Sequence, residues 1–119
     1  MSTARRALLL AALTVVVPPA GAQSVAELVA RGDSAQAAFQ AAEALVIYQA
    51  AIALDTTNAD ALGKASRSAV DLGEAEANAA RKKELFQQGE RHARRAVAAD
   101  SGNAESWFHL ARALGRTAL

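Results

Sequence analysis

The chain has 119 residues, with 13 Lys+Arg against 12 Asp+Glu, so charge offers no case for nucleic acid or an anionic membrane as partner. It contains no cysteine, which excludes disulfide staples, a thiol nucleophile and a lipid-carrying cysteine. Alanine fills 33 positions and aromatics only 4% of the chain; alanine favours helix and lets helices approach closely, so a small all-helical domain is expected.

Residues 1–22 read as a secretory signal peptide. Arg5 and Arg6 give a positive start, Ala7 to Val17 is solidly apolar, and Pro18-Pro19 precedes Ala20-Gly21-Ala22, an A-x-A cleavage pattern. The 11-residue apolar run is too short to span a bilayer, which takes about 20. It is not amphipathic, as a transit peptide is, and the surroundings of Arg5-Arg6 match a twin-arginine signal poorly. The expectation is a mature chain of residues 23–119, periplasmic or secreted from a bacterium, with no integral membrane span after cleavage.

Apolar residues then recur at steps of three and four through five segments, and no segment alternates as a strand does. The spacing predicts helices over about Ser24–Ala38, Gln40–Leu54, Ala59–Leu72, Lys82–Ala99 and from Ala104 onward. Their expected inner faces carry Val25, Leu28 and Val29; then Ala44, Leu45, Tyr48, Ala51 and Ile52; then Leu62, Ala65, Ala69 and Leu72. In the fourth helix Phe86, Gly89, Ala93, Ala96 and Val97 line up, and in the fifth Trp107, Leu110, Ala111 and Leu114.

The stretch from Ala53 to Leu62 returns, 45 residues on, from Ala98 to Trp107. Asp55-Thr56-Thr57-Asn58 and Asp100-Ser101-Gly102-Asn103 read as turns. Asn58 and Asn103 stand where a side chain accepts from the first free N–H groups of the next helix. Asp60 and Glu105 follow in the first turn, where negative charge suits the helix dipole. The chain thus builds one helix junction twice.

These residues resemble the tetratricopeptide repeat family, a helix–turn–helix unit of about 34 residues that stacks into a solenoid. Its junction A-x-x-x-D-P-x-N-x-x-x-W is similar to Ala51, Asp55, Asn58 and Leu62, and again to Ala96, Asp100, Asn103 and Trp107. Thr56 and Ser101 replace the family's proline. Gly32 stands at its close-packing glycine and Tyr48 at its large second-helix residue. The second unit is longer than the family's by 11 residues, around "EAEANAARKK". In that respect it resembles bacterial exported proteins with an extended second repeat and, over Leu85 to Arg116, the mitochondrial regulator-of-microtubule-dynamics type.

The resemblance implies an all-α fold: antiparallel helical hairpins stacked as a short right-handed solenoid of about five helices. Its units would be about 25–58, 59–103 with an inserted connection near 73–83, and a half unit 104–119. It implies a concave surface lined by the first helix of each unit: Val29, Asp33 and Gln36, then Asp60, Arg67 and Val70, then Glu105, Phe108 and Arg112. Asp33, Arg67, Phe108 and Arg112 are the candidate partner-binding residues. Arg67 and Arg112 recur at one repeat position and could grip a carboxylate bidentately. A half unit cannot bury its own apolar face, so Trp107, Phe108, Leu110 and Leu114 are expected to leave an edge for a partner helix or self-association.

Enzymatic chemistry finds no motif here: no G-x-S-x-G elbow, no phosphate loop and no H-E-x-x-H pair. His92 and His109 are expected to face solvent, and Glu74 and Glu76 to sit on an exposed linker with their side chains diverging. Arg81-Lys82-Lys83 and the Arg91–Arg95 cluster lack interleaved aromatics, so they read as solvated helix faces, not a nucleic-acid site. The expected function is therefore non-enzymatic, without cofactor or metal: a scaffold binding a protein or peptide. A structural accessory segment of a larger envelope protein or enzyme complex is the alternative.

Overall fold

The computed structural model describes residues 23–119, and within them every regular element is helical. The signal-peptide reading falls on residues 1–22, outside the described residues. The helices are α1 (Val25–Ala37), α2 (Ala41–Leu54), α3 (Ala59–Ala75), α4 (Ala79–Ala99) and α5 (Ala104–Thr117). Side-chain caps begin four of the five. Ser24, Asn58, Asn78 and Asn103 each accept from a backbone N–H of the first turn of the helix they precede, which satisfies a donor that has no partner inside the helix. Gln40 makes no such bond before α2.

The α1–α2 turn closes differently. Gln40 N–H bonds Ala35 C=O at 2.9 Å and Phe39 N–H bonds Gln36 C=O at 3.0 Å, the paired bonds of a Schellman end. Phe39 occupies the left-handed position with φ 59°, where glycine is the usual residue, and its ring is 96% exposed.

Connections of three or four residues make consecutive helices antiparallel neighbours, and each helix packs on the next. The second layer of contact is α3 against α5. Residues paired across α1, α3 and α5 advance together along the chain: Asp33 with Lys64 and Gln36 with Asp71, then Gly63 near His109 and Asp71 with Arg112. These three helices therefore run in the same direction, with α2 and α4 returning behind them.

The core runs along α2 and α3, where Tyr48, Leu62, Ala44, Ala51, Ala65 and Ala69 are fully buried. Missing side chains set the spacing of the layers. A Cβ on Gly32 would clash with one edge of the Tyr48 ring, and one on Gly89 would stand 2.7 Å from Val70 Cγ2 and 3.2 Å from Ser66 O. Interiors pack at crystal-like density, so neither pair of helices could keep its separation with a methyl group added.

Three expectations need correction. The segment near 73–83 is not an inserted loop: α3 continues to Ala75, Asn78 caps α4, and only Glu76–Asn78 connect them. The extra length is absorbed as helix because the segment is rich in alanine and carries its own cap. Second, α5 buries Ser106, Leu110 and Ala113 instead of a face centred on Trp107. Leu110 is thus core, while Trp107, Phe108 and Leu114 stay 51%, 65% and 36% exposed. Third, Val70, assigned to the concave surface, is 1% exposed because it fills the space over Gly89.

Candidate binding surface

The parallel helices α1, α3 and α5 carry a polar ledge built mostly from their own ion pairs. Lys64 Nζ on α3 donates to Asp33 Oδ2 on α1 at 2.9 Å and lies 3.2 Å from Asp60 Oδ2, one turn back along α3. The Tyr48 hydroxyl reaches up from α2, donates to Asp33 Oδ1 at 2.6 Å and accepts from Arg67 Nη2 at 3.2 Å. Further along, Gln36 Nε2 donates to Asp71 Oδ2 at 2.8 Å, and its Oε1 accepts from Ser68 Oγ at 2.8 Å. On the α5 side, Arg112 Nη2 donates to Asp71 Oδ1 at 2.7 Å and lies 3.1 Å from Glu74 Oε1, which Arg116 also meets at 2.8 Å.

These contacts shift the titrating groups. Burial alone would raise the Asp33 carboxyl, but the hydrogen bonds from Tyr48 and Lys64 and the charges of Lys64 and Arg67 hold it below the usual range. Tyr48 is pushed up by burial and by the Asp33 carboxylate it serves. Against their own burial, Lys64 and Arg112 rise through their carboxylate partners.

Of the four candidate residues, Asp33 and Arg67 are joined through the Tyr48 hydroxyl. Arg112 shares no acceptor with Arg67: it is engaged by Asp71 and Glu74, two carboxylates that α3 presents at i,i+3 to α5. Phe108 stands exposed at the margin of the ledge, edge-on to His109 with ring centroids 5.7 Å apart.

The histidines depart from the sequence reading. His109 lies half-buried against Gly63, and its Nδ1 has no partner; burial and the Arg67 charge push it down. Neither ring nitrogen of His92 is bonded, and burial with Arg95 and Arg91 nearby lowers it to about 4. Arg67 Nε and Ser66 Oγ are likewise buried without a partner. Glu74, expected on a linker, lies in α3 and anchors two arginines.

Sequence reasoning missed Tyr48, Asp71 and Glu74 as members of this surface. The pairing of Asp71 and Glu74 at i,i+3 with Arg112 and Arg116 at i,i+4 was the available signal, since each pair lines one face of its helix.

Beside the ledge, α4 extends past the end of α5 and leaves a cleft of about 790 Å³, in which Lys82, Lys83, Phe86, Arg116 and Leu119 take part. Among the described residues no group of His, Asp and Glu could hold a metal ion, and no helix is long and apolar enough to cross a membrane.

The geometry defines an all-helical protein of short hairpins with a charged surface across three parallel helices. Compared with known families, curated proteins and solved structures, the chain matches none. The two helix junctions capped by Asn58 and Asn103 are alike, and Gly32 lies against Tyr48.

Proposed function

We propose that this chain is a non-enzymatic, exported scaffold of the tetratricopeptide kind. Its hairpins form a short right-handed solenoid that binds a protein or peptide across α1, α3 and α5. The observation that carries this reading is the parallel alignment of those three helices, with polar side chains interlocked from one to the next over their length. An extended or helical peptide laid across them would meet Asp33, half-exposed beside Lys64, the outer face of Arg67, and Phe108 as an apolar contact. Charged groups held in register by neighbours lose little entropy on meeting a ligand, which favours specificity.

Arg112 serves this surface indirectly, holding α5 against α3 through Asp71 and Glu74. Export through residues 1–22 would place the scaffold in the periplasm or outside the cell.

The test compares affinity capture by the wild-type protein and by the double variant Arg67→Ala, Phe108→Ala, with circular dichroism as the fold control. A partner identified by mass spectrometry and lost from the variant supports the surface. Equal capture by both proteins removes it.

A further inference from the structure

We propose that the exposed face of α5 is a contact between two copies of this chain, packed antiparallel about a two-fold axis near Ala111. At 100° per residue, Trp107, Phe108, Ala111, Leu114, Gly115 and Ala118 share one arc of α5 about 120° wide. No charged residue falls within that arc. Trp107, Phe108 and Leu114 are exposed on it, and a Cβ on Gly115 would meet nothing within 4 Å. The opposite face, with Ser106, Leu110 and Ala113, is already buried.

The shape of this arc, and its lack of charge, point to a second copy of the same helix. Its bulk lies in the first half, at Trp107 and Phe108, and its small residues centre on Ala111, Gly115 and Ala118. An antiparallel two-fold pairing sets a residue before Ala111 against one about equally far beyond it, to within one residue, on the same flank. Phe108 then lies over the partner's Gly115, and Trp107 lies beside the partner's Leu114, while the two copies of Ala111 permit close approach. The helix dipoles are opposed as well, which is the favourable sense. A parallel pairing would instead set Trp107 level with Trp107 and align the two helix dipoles.

A single helix pair buries less than the roughly 800 Å² per partner of a standard interface, so the dimer is weak, with a Kd on the order of tens of micromolar. This contact shares Phe108 with the margin of the ledge but requires no ligand there, and Ala111 takes no part in the ledge.

Sedimentation velocity from about 1 µM to about 1 mM tests the proposal across that range. The expected result is a rise from monomer to dimer in the wild type and in an Ala53→Glu control on exposed α2 surface, with Ala111→Glu staying monomeric. Orientation is read from disulfide trapping, since the chain has no native cysteine. Ala104→Cys and Ala118→Cys proteins should cross-link with each other when mixed and not each with itself. A wild-type monomer throughout the range overturns the proposal and leaves the face to some other helix. Dimerisation untouched by Ala111→Glu, or Ala104→Cys cross-linking to itself, overturns it equally.

Discussion

The Tyr48 ring occupies the space that a side chain on Gly32 would need, and its hydroxyl continues past the glycine to Asp33. A glycine in mid-helix ordinarily costs α1 stability relative to alanine, by about 1 kcal/mol. Here close approach outweighs that. Gly32→Ala should destabilise the protein by about 1–3 kcal/mol through overpacking, despite the gain in helix propensity. Urea unfolding monitored by circular dichroism measures it, and an unchanged or raised midpoint would show that Tyr48 can move aside.

Phe39 presents the opposite case. Its left-handed backbone costs a residue with a side chain roughly 1–2 kcal/mol, and its exposed ring recovers nothing by packing. Phe39→Gly should therefore raise the unfolding midpoint, by about 1 kcal/mol in stability. Phe39→Ala should leave the strain in place and gain little. Thermal unfolding of the two variants side by side decides the matter.

The α3–α5 joint should behave as a coupled unit. Arg112 and its partners Asp71 and Glu74 are all about one-quarter to one-third exposed, so their pairing is screened less than a fully exposed contact. Arg112→Ala should cost about 1–2 kcal/mol. In a double-mutant cycle with Asp71→Ala the losses should fall short of additive by at least about 0.5 kcal/mol. Strict additivity would mean that the two side chains contribute independently.

Stability should fall on mild acidification. His92 and His109 are held neutral in the fold, and His92 binds its proton only near pH 4, whereas an unfolded histidine does so near pH 6.5. The unfolded chain thus takes up more protons as pH drops from 6.5 towards 4, and stability is lost across that window. Asp33, whose folded value is depressed, adds a further loss below about pH 4. His92→Gln should flatten the fall in Tm between pH 6.5 and pH 4.5. An identical slope would assign it to other groups.

The repeated junctions give a paired prediction. Asn58 accepts from Ala61 N–H at 3.0 Å and Asn103 from Glu105 N–H at 2.9 Å. Replacing either by alanine should cost about 1 kcal/mol, and the two losses should add, since the caps share no partner.

Much of the fold was legible because it is written locally. Apolar residues at helical spacing, and Asn58 and Asn103 at their junctions, mark helices whose ends agree with the structure within a few residues. The α3–α4 corner was misread because a charged, alanine-rich run resembles a linker, although Asn78 carried the same capping signal as Asn58 and Asn103. The left-handed turn at Phe39 violates the residue preference by which such turns are recognised. The ledge was legible only in part. Asp33 and Arg67 could be placed on one face, but the Tyr48 bridge between them, and Glu74 holding two arginines, arise from distant segments meeting. Burial of His92 and His109 likewise follows from how α3, α4 and α5 nest, which periodicity alone does not report.

The unequal helix lengths have a geometric consequence. At 1.5 Å per residue, α4, with 21 residues, stands about 10 Å taller than α2, with 14. The second hairpin therefore overtops the first, and the outline of the five helices is stepped. A step of that kind is a landmark: it marks one side of the molecule and fixes how far a helix as short as α2 could reach along the flank of α4.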